Sequence, residues 1–145
     1  MPVRPNILEI LKNEGAPAAD YALLTALHEV GATTAQAIVD LLLLRKQKAG
    51  LRGLIELFHD FDEPICRTIV ENVDELFPAL RLASQSKDDR VRLNVLEIIR
   101  RGYVYRAAYL ADTALHDRSG AIREAAADTL YTLADQLLKT SPIPD

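Results

Sequence analysis

The stretches DDRVRLNVLEII (residues 88–99) and SGAIREAAADTL (residues 119–130) decide the fold, because they are one pattern written twice. Each opens on a short polar side chain, Asp88 or Ser119, of the kind that accepts a hydrogen bond from the first free N–H groups of a helix. Three residues on stands an apolar side chain, Val91 or Ile122, followed at once by an arginine, Arg92 or Arg123. Further apolar side chains recur at steps of four, Val95 and Ile99 in one copy and Ala126 and Leu130 in the other. That spacing keeps them on one face of a helix. The same columns reappear upstream as Ile65, Ile69 and Val73, and as Thr34, Ile38 and Leu42. Six residues before each first apolar position lies His28, His59, Gln85 or His116, so the copies are spaced by 31, 26 and 31 residues. Periods of this size mark stacked helical repeats. Between the second and third apolar columns runs an all-acidic one: Asp40, Glu71, Glu97 and Asp128.

Every periodic segment reads as helix, and no stretch alternates with the period of a strand. The expected helices cover residues 6–14, 17–30, 33–47, 49–60, 63–76, 77–84, 89–101, 103–116 and 120–138. Asp62 caps the fifth, and the prolines Pro64 and Pro78 are placed in the first turns of the fifth and sixth, where a missing N–H costs little. Short connections make neighbouring helices antiparallel. The expectation is a single all-α domain over residues 1–145. It holds four helical hairpins, about residues 17–47, 49–76, 77–101 and 103–138, and an N-terminal cap helix at 6–14.

The second helices, each following a polar turn and opening with an apolar residue and then an arginine in the last two copies, resemble the HEAT-repeat pattern. The compact spacing is closer to the shorter HEAT-like variety of bilin lyase accessory proteins. The resemblance covers residues 17–138 and is sharpest in the last two hairpins. In the first two, Ala35 and Cys66 occupy the arginine column. It implies a right-handed α-solenoid with its second helices lining the concave side. It also implies a scaffold or adaptor role, with some lyases, hydroxylases and DNA glycosylases as enzymatic members.

Composition narrows the function. Apolar residues make up 49% of the 145, which is enough to build a core. The net charge of −4 lacks the basic face of a nucleic-acid binder, so none is expected as partner. The single cysteine, Cys66, excludes an internal disulfide and a cysteine zinc site. The opening MPVRPNILEI has no apolar core of a signal peptide, and the longest apolar run, Leu41–Leu44, is far short of a membrane span. A cytoplasmic setting is the simplest expectation.

Neither a phosphate loop nor a nucleophile elbow nor a metal-spaced His/Cys motif is present, so no catalytic residue, metal or cofactor is expected. The pairs His28-Glu29, His59-Asp60 and His116-Asp117 suggest metal ligands, but repeat columns stand ~10 Å apart and two ligands of one ion must come within ~4 Å. Two candidate binding groups remain. The acidic column Asp40, Glu71, Glu97 and Asp128 suits a basic or amphipathic segment of another protein, or serves only to keep an exposed face soluble. Tyr105, Arg106 and Tyr109, with Tyr21 and Arg52 in the Tyr109 column, carry interface chemistry or pack between layers. Arg92 and Arg123 are expected to bond the turn of a neighbouring repeat, and Cys66 to be buried packing. The function expected is a non-enzymatic interaction scaffold. A lyase-type accessory subunit and self-association through the apolar last helix are the alternatives.

Overall fold

A computed structural model describes residues 17–141; the expected cap helix at 6–14 and the last four residues lie outside them. Among the described residues there are eight α-helices and no strand, so the protein is all-α. The helices are α1 (Pro17–Ala26), α2 (Ala32–Arg45), α3 (Lys48–Glu56), α4 (Glu63–Glu71), α5 (Val73–Ala83), α6 (Asp89–Gly102), α7 (Ala108–Ala114) and α8 (Gly120–Thr140). Single 3-10 turns at Phe58–Asp60 and Tyr105–Ala107 follow α3 and precede α7.

The repeat columns reappear as helix starts. The N-cap residues of α2, α4, α6 and α8 are Gly31, Asp62, Asp88 and Ser119, all in one column of the repeat. Asp62 accepts from the Ile65 N–H at 3.3 Å, Asp88 from Arg90 at 2.9 Å and Ser119 from Ile122 at 3.4 Å. Gly31 supplies no side-chain bond. The central apolar column of Ile38, Ile69, Val95 and Ala126 is buried throughout, whereas the column of His28, His59, Gln85 and His116 is exposed.

The chain forms two compact units, Met1–Ala79 and Leu80–Asp145, of which residues 17–79 and 80–141 are described. In the first, α3 packs on α1 and α2, and α4 packs on α2. The two leading helices α1 and α3 are thus neighbours, and so are the following helices α2 and α4. In the second unit α8 packs on both α6 and α7. Its core joins Leu96, Ala111, Ile122 and Ala126, with Leu93, Leu115, Ala125 and Leu130 packed around them.

Several expected boundaries move. The fifth expected helix ends at Glu71 and the sixth begins at Val73, where an end at 76 and a start at 77 are expected. Asn72 makes the break: it leaves helical geometry at φ −107°, ψ 23°, and its side-chain amide donates to the Thr68 carbonyl at 2.8 Å. Pro78 therefore lies inside α5 and not in its first turn, and cannot donate to the Asp74 carbonyl. The acids Asp74 and Glu75 support the earlier start, where the helix dipole favours negative charge. The expected helix at 103–116 begins late because α6 ends in a Schellman turn. Tyr103 takes the left-handed conformation at φ 48°, and the Val104 and Tyr103 N–H groups return to the Ile99 and Arg100 carbonyls at 3.0 and 3.4 Å.

The half-buried Leu24 side chain of α1 lies directly over Gly53 of α3. A Cβ there would lie 2.3 Å from a Leu24 methyl and 3.0 Å from its Cγ, inside any van der Waals distance. Gly53→Ala is expected to cost about 1–3 kcal/mol by overpacking. In a Leu24→Ala background the same substitution should cost less than about 1 kcal/mol. Urea unfolding of the four proteins of this cycle measures the difference, and equal costs in both backgrounds refute the contact.

Candidate functional site

The acidic column divides between the two units. On α2, Asp40 is exposed and accepts from the Gln36 amide at 3.0 Å. That same amide nitrogen donates to Thr68 of α4 at 3.0 Å, so it ties the two helices together beside the acid. Asp40 lines a shallow groove of about 230 Å³ with Leu43, Leu44, Asn72 and the ion pair Lys46–Glu75, whose charges are 3.3 Å apart. Glu71, the last residue of α4, is exposed and outside that groove.

In the second unit Glu97 and Asp128 share a cleft of about 170 Å³ between α6 and α8, together with Arg90, Arg100, Asn94 and Thr129. Glu97 is half-buried and engaged by the Arg100 guanidinium one turn on, while Asp128 is exposed. Beneath them the Thr129 hydroxyl lies 2.7 Å from the Ala125 carbonyl and 3.4 Å from that of Leu96, joining α8 to α6. Two cations thus offset the two acids here. The groove on α2 holds Asp40 and Glu75 against Lys46 alone.

Tyr105, Arg106 and Tyr109 are all exposed, and Tyr109 lines a groove. That groove, about 430 Å³, is lined by Tyr109, Leu110, Thr113 and His116 of the α7 segment, with Gln85 and Arg92 opposite. Its counterpart in the first unit, about 390 Å³, is lined by Tyr21, Leu24, Thr25 and His28 with Arg52 and Glu56 of α3. The two share the spacing Tyr-x3-Thr-x2-His, and in each the threonine hydroxyl donates to the tyrosine carbonyl, at 2.8 Å for Thr25 and 3.0 Å for Thr113. The sequence columns align Tyr21 with Tyr109 and His28 with His116 but pass over the threonine, although the tetrapeptide TALH at 25–28 and 113–116 carries it.

The arginine column acts on the turns. Arg92 donates to the Ser86 carbonyl and Arg123 to the Asp117 carbonyl, both at 2.7 Å and both six residues back. Arg92 also reaches the turn of the following hairpin, donating to the two Asp117 oxygens at 2.9 and 3.2 Å, and it pairs with Asp89. Cys66, in the same column, is buried with its thiol 3.5 Å from the Phe61 carbonyl, so it too faces a turn.

The Arg92 hydrogen bond, then the Ser119 N–H at 2.8 Å, hold the Asp117 carboxyl below its ordinary value of 3.8, and Asp117 in return raises Arg92. A carboxyl depressed in the folded state contributes stability above its unfolded pKa, and that contribution is lost as pH falls through the folded one. Asp117→Asn is therefore expected to lower the urea midpoint near pH 6 and to leave it nearly unchanged at roughly pH 2. An equal deficit at both values would show that the charge of Asp117 is idle.

Among the described residues no cluster of three or more His, Cys, Asp or Glu side chains is placed to hold a metal ion. Nor is any described helix long and apolar enough to cross a membrane. No family model, curated protein or solved structure matches the chain.

Proposed function

We propose that the protein is a non-enzymatic interaction scaffold built as a HEAT-like α-solenoid, and that a basic or amphipathic segment of another protein docks on the acidic side of its second helices. The observation that carries this reading is the exposure of Asp40 and Glu71 on neighbouring helices whose column two residues earlier, Ile38 and Ile69, is buried in the core. Packed helices lie 8–10 Å apart, a spacing that two lysines or arginines of one bound segment can match. In the second unit Arg90 and Arg100 line the cleft of Glu97 and Asp128, so the docking surface is assigned to α2 and α4 of the first unit. Residues 1–75, with 7 basic and 12 acidic side chains, supply the long-range field that steers such a partner. The N-cap register of 31, 26 and 31 residues and the side-by-side packing of second helices within each unit support the solenoid reading.

Asp40→Lys with Glu71→Lys tests the proposal, because both side chains are exposed and the fold is expected to persist. Affinity capture followed by mass spectrometry should recover basic partners with the natural chain, more weakly as salt rises, and lose them with the reversed one. Retention of the same partners by the double variant refutes the acidic docking surface.

A further inference from the structure

The solvent side of α8 carries an apolar face that the acidic docking surface does not use. Its core stripe is Ile122, Ala126, Thr129 and Leu133, all nearly inaccessible. Turned about 150° from that stripe, at helical steps of four, three and four, stand Ala127, Tyr131, Ala134 and Leu138. All four are exposed, Tyr131 and Leu138 each at 71%, and Leu137 beside them at 46%. No charged side chain interrupts this stripe over its four positions. Arg123, Glu124, Asp128, Asp135 and Lys139 flank it, and Lys139 is held by Asp135 at 2.9 Å.

The repeat register indicates what kind of surface covers such a face. Residues 96 and 100 of α6 stand in the columns of 127 and 131 of α8. On α6 they look onto a helix: Leu96 packs on Ala111, Ile122 and Ala126, and Arg100 lines the cleft against α8. Where α6 has Leu96 and Arg100, α8 has Ala127 and Tyr131, facing water. The alternation of small and large residues along the α8 stripe is what makes it fit itself. Read in one direction it is Ala-Tyr-Ala-Leu, and read in the other Leu-Ala-Tyr-Ala. A two-fold axis through a helix–helix contact, perpendicular to the helices, sets them antiparallel and makes the contact self-complementary. Ala127 then opposes Leu138 of a second copy, and Tyr131 opposes Ala134, a bump against a hollow at every level. A parallel pairing would set Tyr131 on its own equivalent and leave the alanines facing each other.

We infer that α8 is a homodimerisation surface, on which a second copy of this chain docks its own α8 antiparallel, centred between Tyr131 and Ala134. One helix pair buries less than the roughly 1,200–2,000 Å² of a permanent interface, so the association is weak and reversible.

Sedimentation equilibrium of the full chain over micromolar to millimolar concentrations tests this. The natural chain is expected to pass from monomer to dimer within that range. Tyr131→Asp, with its helical circular dichroism retained, should weaken association by roughly tenfold or more, as loss of a central aromatic anchor does. The orientation has its own test. In the antiparallel pair, position 127 lies ~16 Å along the axis from its own equivalent, beyond disulfide reach, but beside position 138 of the other copy. Under mild oxidation Ala127→Cys and Leu138→Cys should each stay uncrosslinked alone and form a heterodisulfide when mixed. A natural chain that stays monomeric to millimolar concentration leaves the face to some other partner and overturns the inference. So do homodisulfides in the separate variants, or Tyr131→Asp that associates as the natural chain does.

Discussion

Arg45→Ala is expected to destabilise the first unit by about 3–5 kcal/mol, the cost of stranding a buried carboxylate without its cation. Asp20 of α1 is completely inaccessible, and the Arg45 guanidinium at the end of α2 meets it at 2.7 Å with 2% of its side chain exposed. One Asp20 oxygen, Oδ2, is buried without a hydrogen-bond partner even in the intact protein, so the carboxylate depends heavily on the arginine. Gly50 stands over the pair: a Cβ there would lie 3.2 Å from the Asp20 carboxyl carbon, which leaves little room for water to replace the lost guanidinium. Typical domains are stable by only 5–15 kcal/mol, so the variant should melt early or fail to accumulate. Removing both charges with Asp20→Leu and Arg45→Met should restore most of the loss, since apolar replacement of a whole buried pair is often neutral or better. Thermal and urea unfolding followed at 222 nm measure both. An Arg45→Ala protein as stable as the natural chain would show that the pair is not a determinant of the fold.

That ion pair marks where the sequence stops being readable. The repeat register was legible because each tier announces itself locally: Asp62, Asp88 and Ser119 are short acceptors at helix starts, and Ile69, Val95 and Ala126 follow at a fixed interval. Asp20 and Arg45 announce something else. An acid in a first helical turn and an arginine in a last one are what the helix dipole favours on any exposed helix, and nothing local says that they meet 25 residues apart. The α5 boundary failed for a related reason. Pro78 is an ordinary first-turn signal, and Asn72, whose amide ends α4, is a weaker one. In the acidic column the residue types are legible but their neighbours are not. Glu97 is tied to Arg100, and Arg90 joins its cleft, while Asp40 stays exposed. The Arg92–Asp117 bond was half legible. A turn is the expected partner of Arg92, but nothing in the sequence reading singles out Asp117 once its pairing with His116 on a metal is set aside. Its Asx-turn to the Ser119 N–H, matched one repeat earlier by Ser86 accepting from the Asp88 N–H at 3.1 Å, was the signal to use.

Ile69→Asp should abolish cooperative folding of the first unit, while Glu71→Lys two positions on should change its stability by no more than about 0.5 kcal/mol. Two residues along a helix turn the side chain by about 200°, so the pair samples opposite faces of α4. Ile69 has no accessible surface and lies on α4, which packs on α2, in the column of Ile38. An aspartate there loses the isoleucine's apolar burial and adds a carboxylate to an apolar interior. The expected penalty is about 4 kcal/mol or more, in the range reserved for buried unpaired charge. Protonation lowers but does not remove that cost, because the neutral acid still leaves a donor and acceptors without partners. Glu71 is exposed, and lysine there keeps a good helix former in α4. Circular dichroism and urea unfolding of the two variants read the register directly. A soluble, cooperatively unfolding Ile69→Asp protein would mean that the column through Ile38, Ile69, Val95 and Ala126 is not the inner one, and the placement of the acids on the outer face would fall with it.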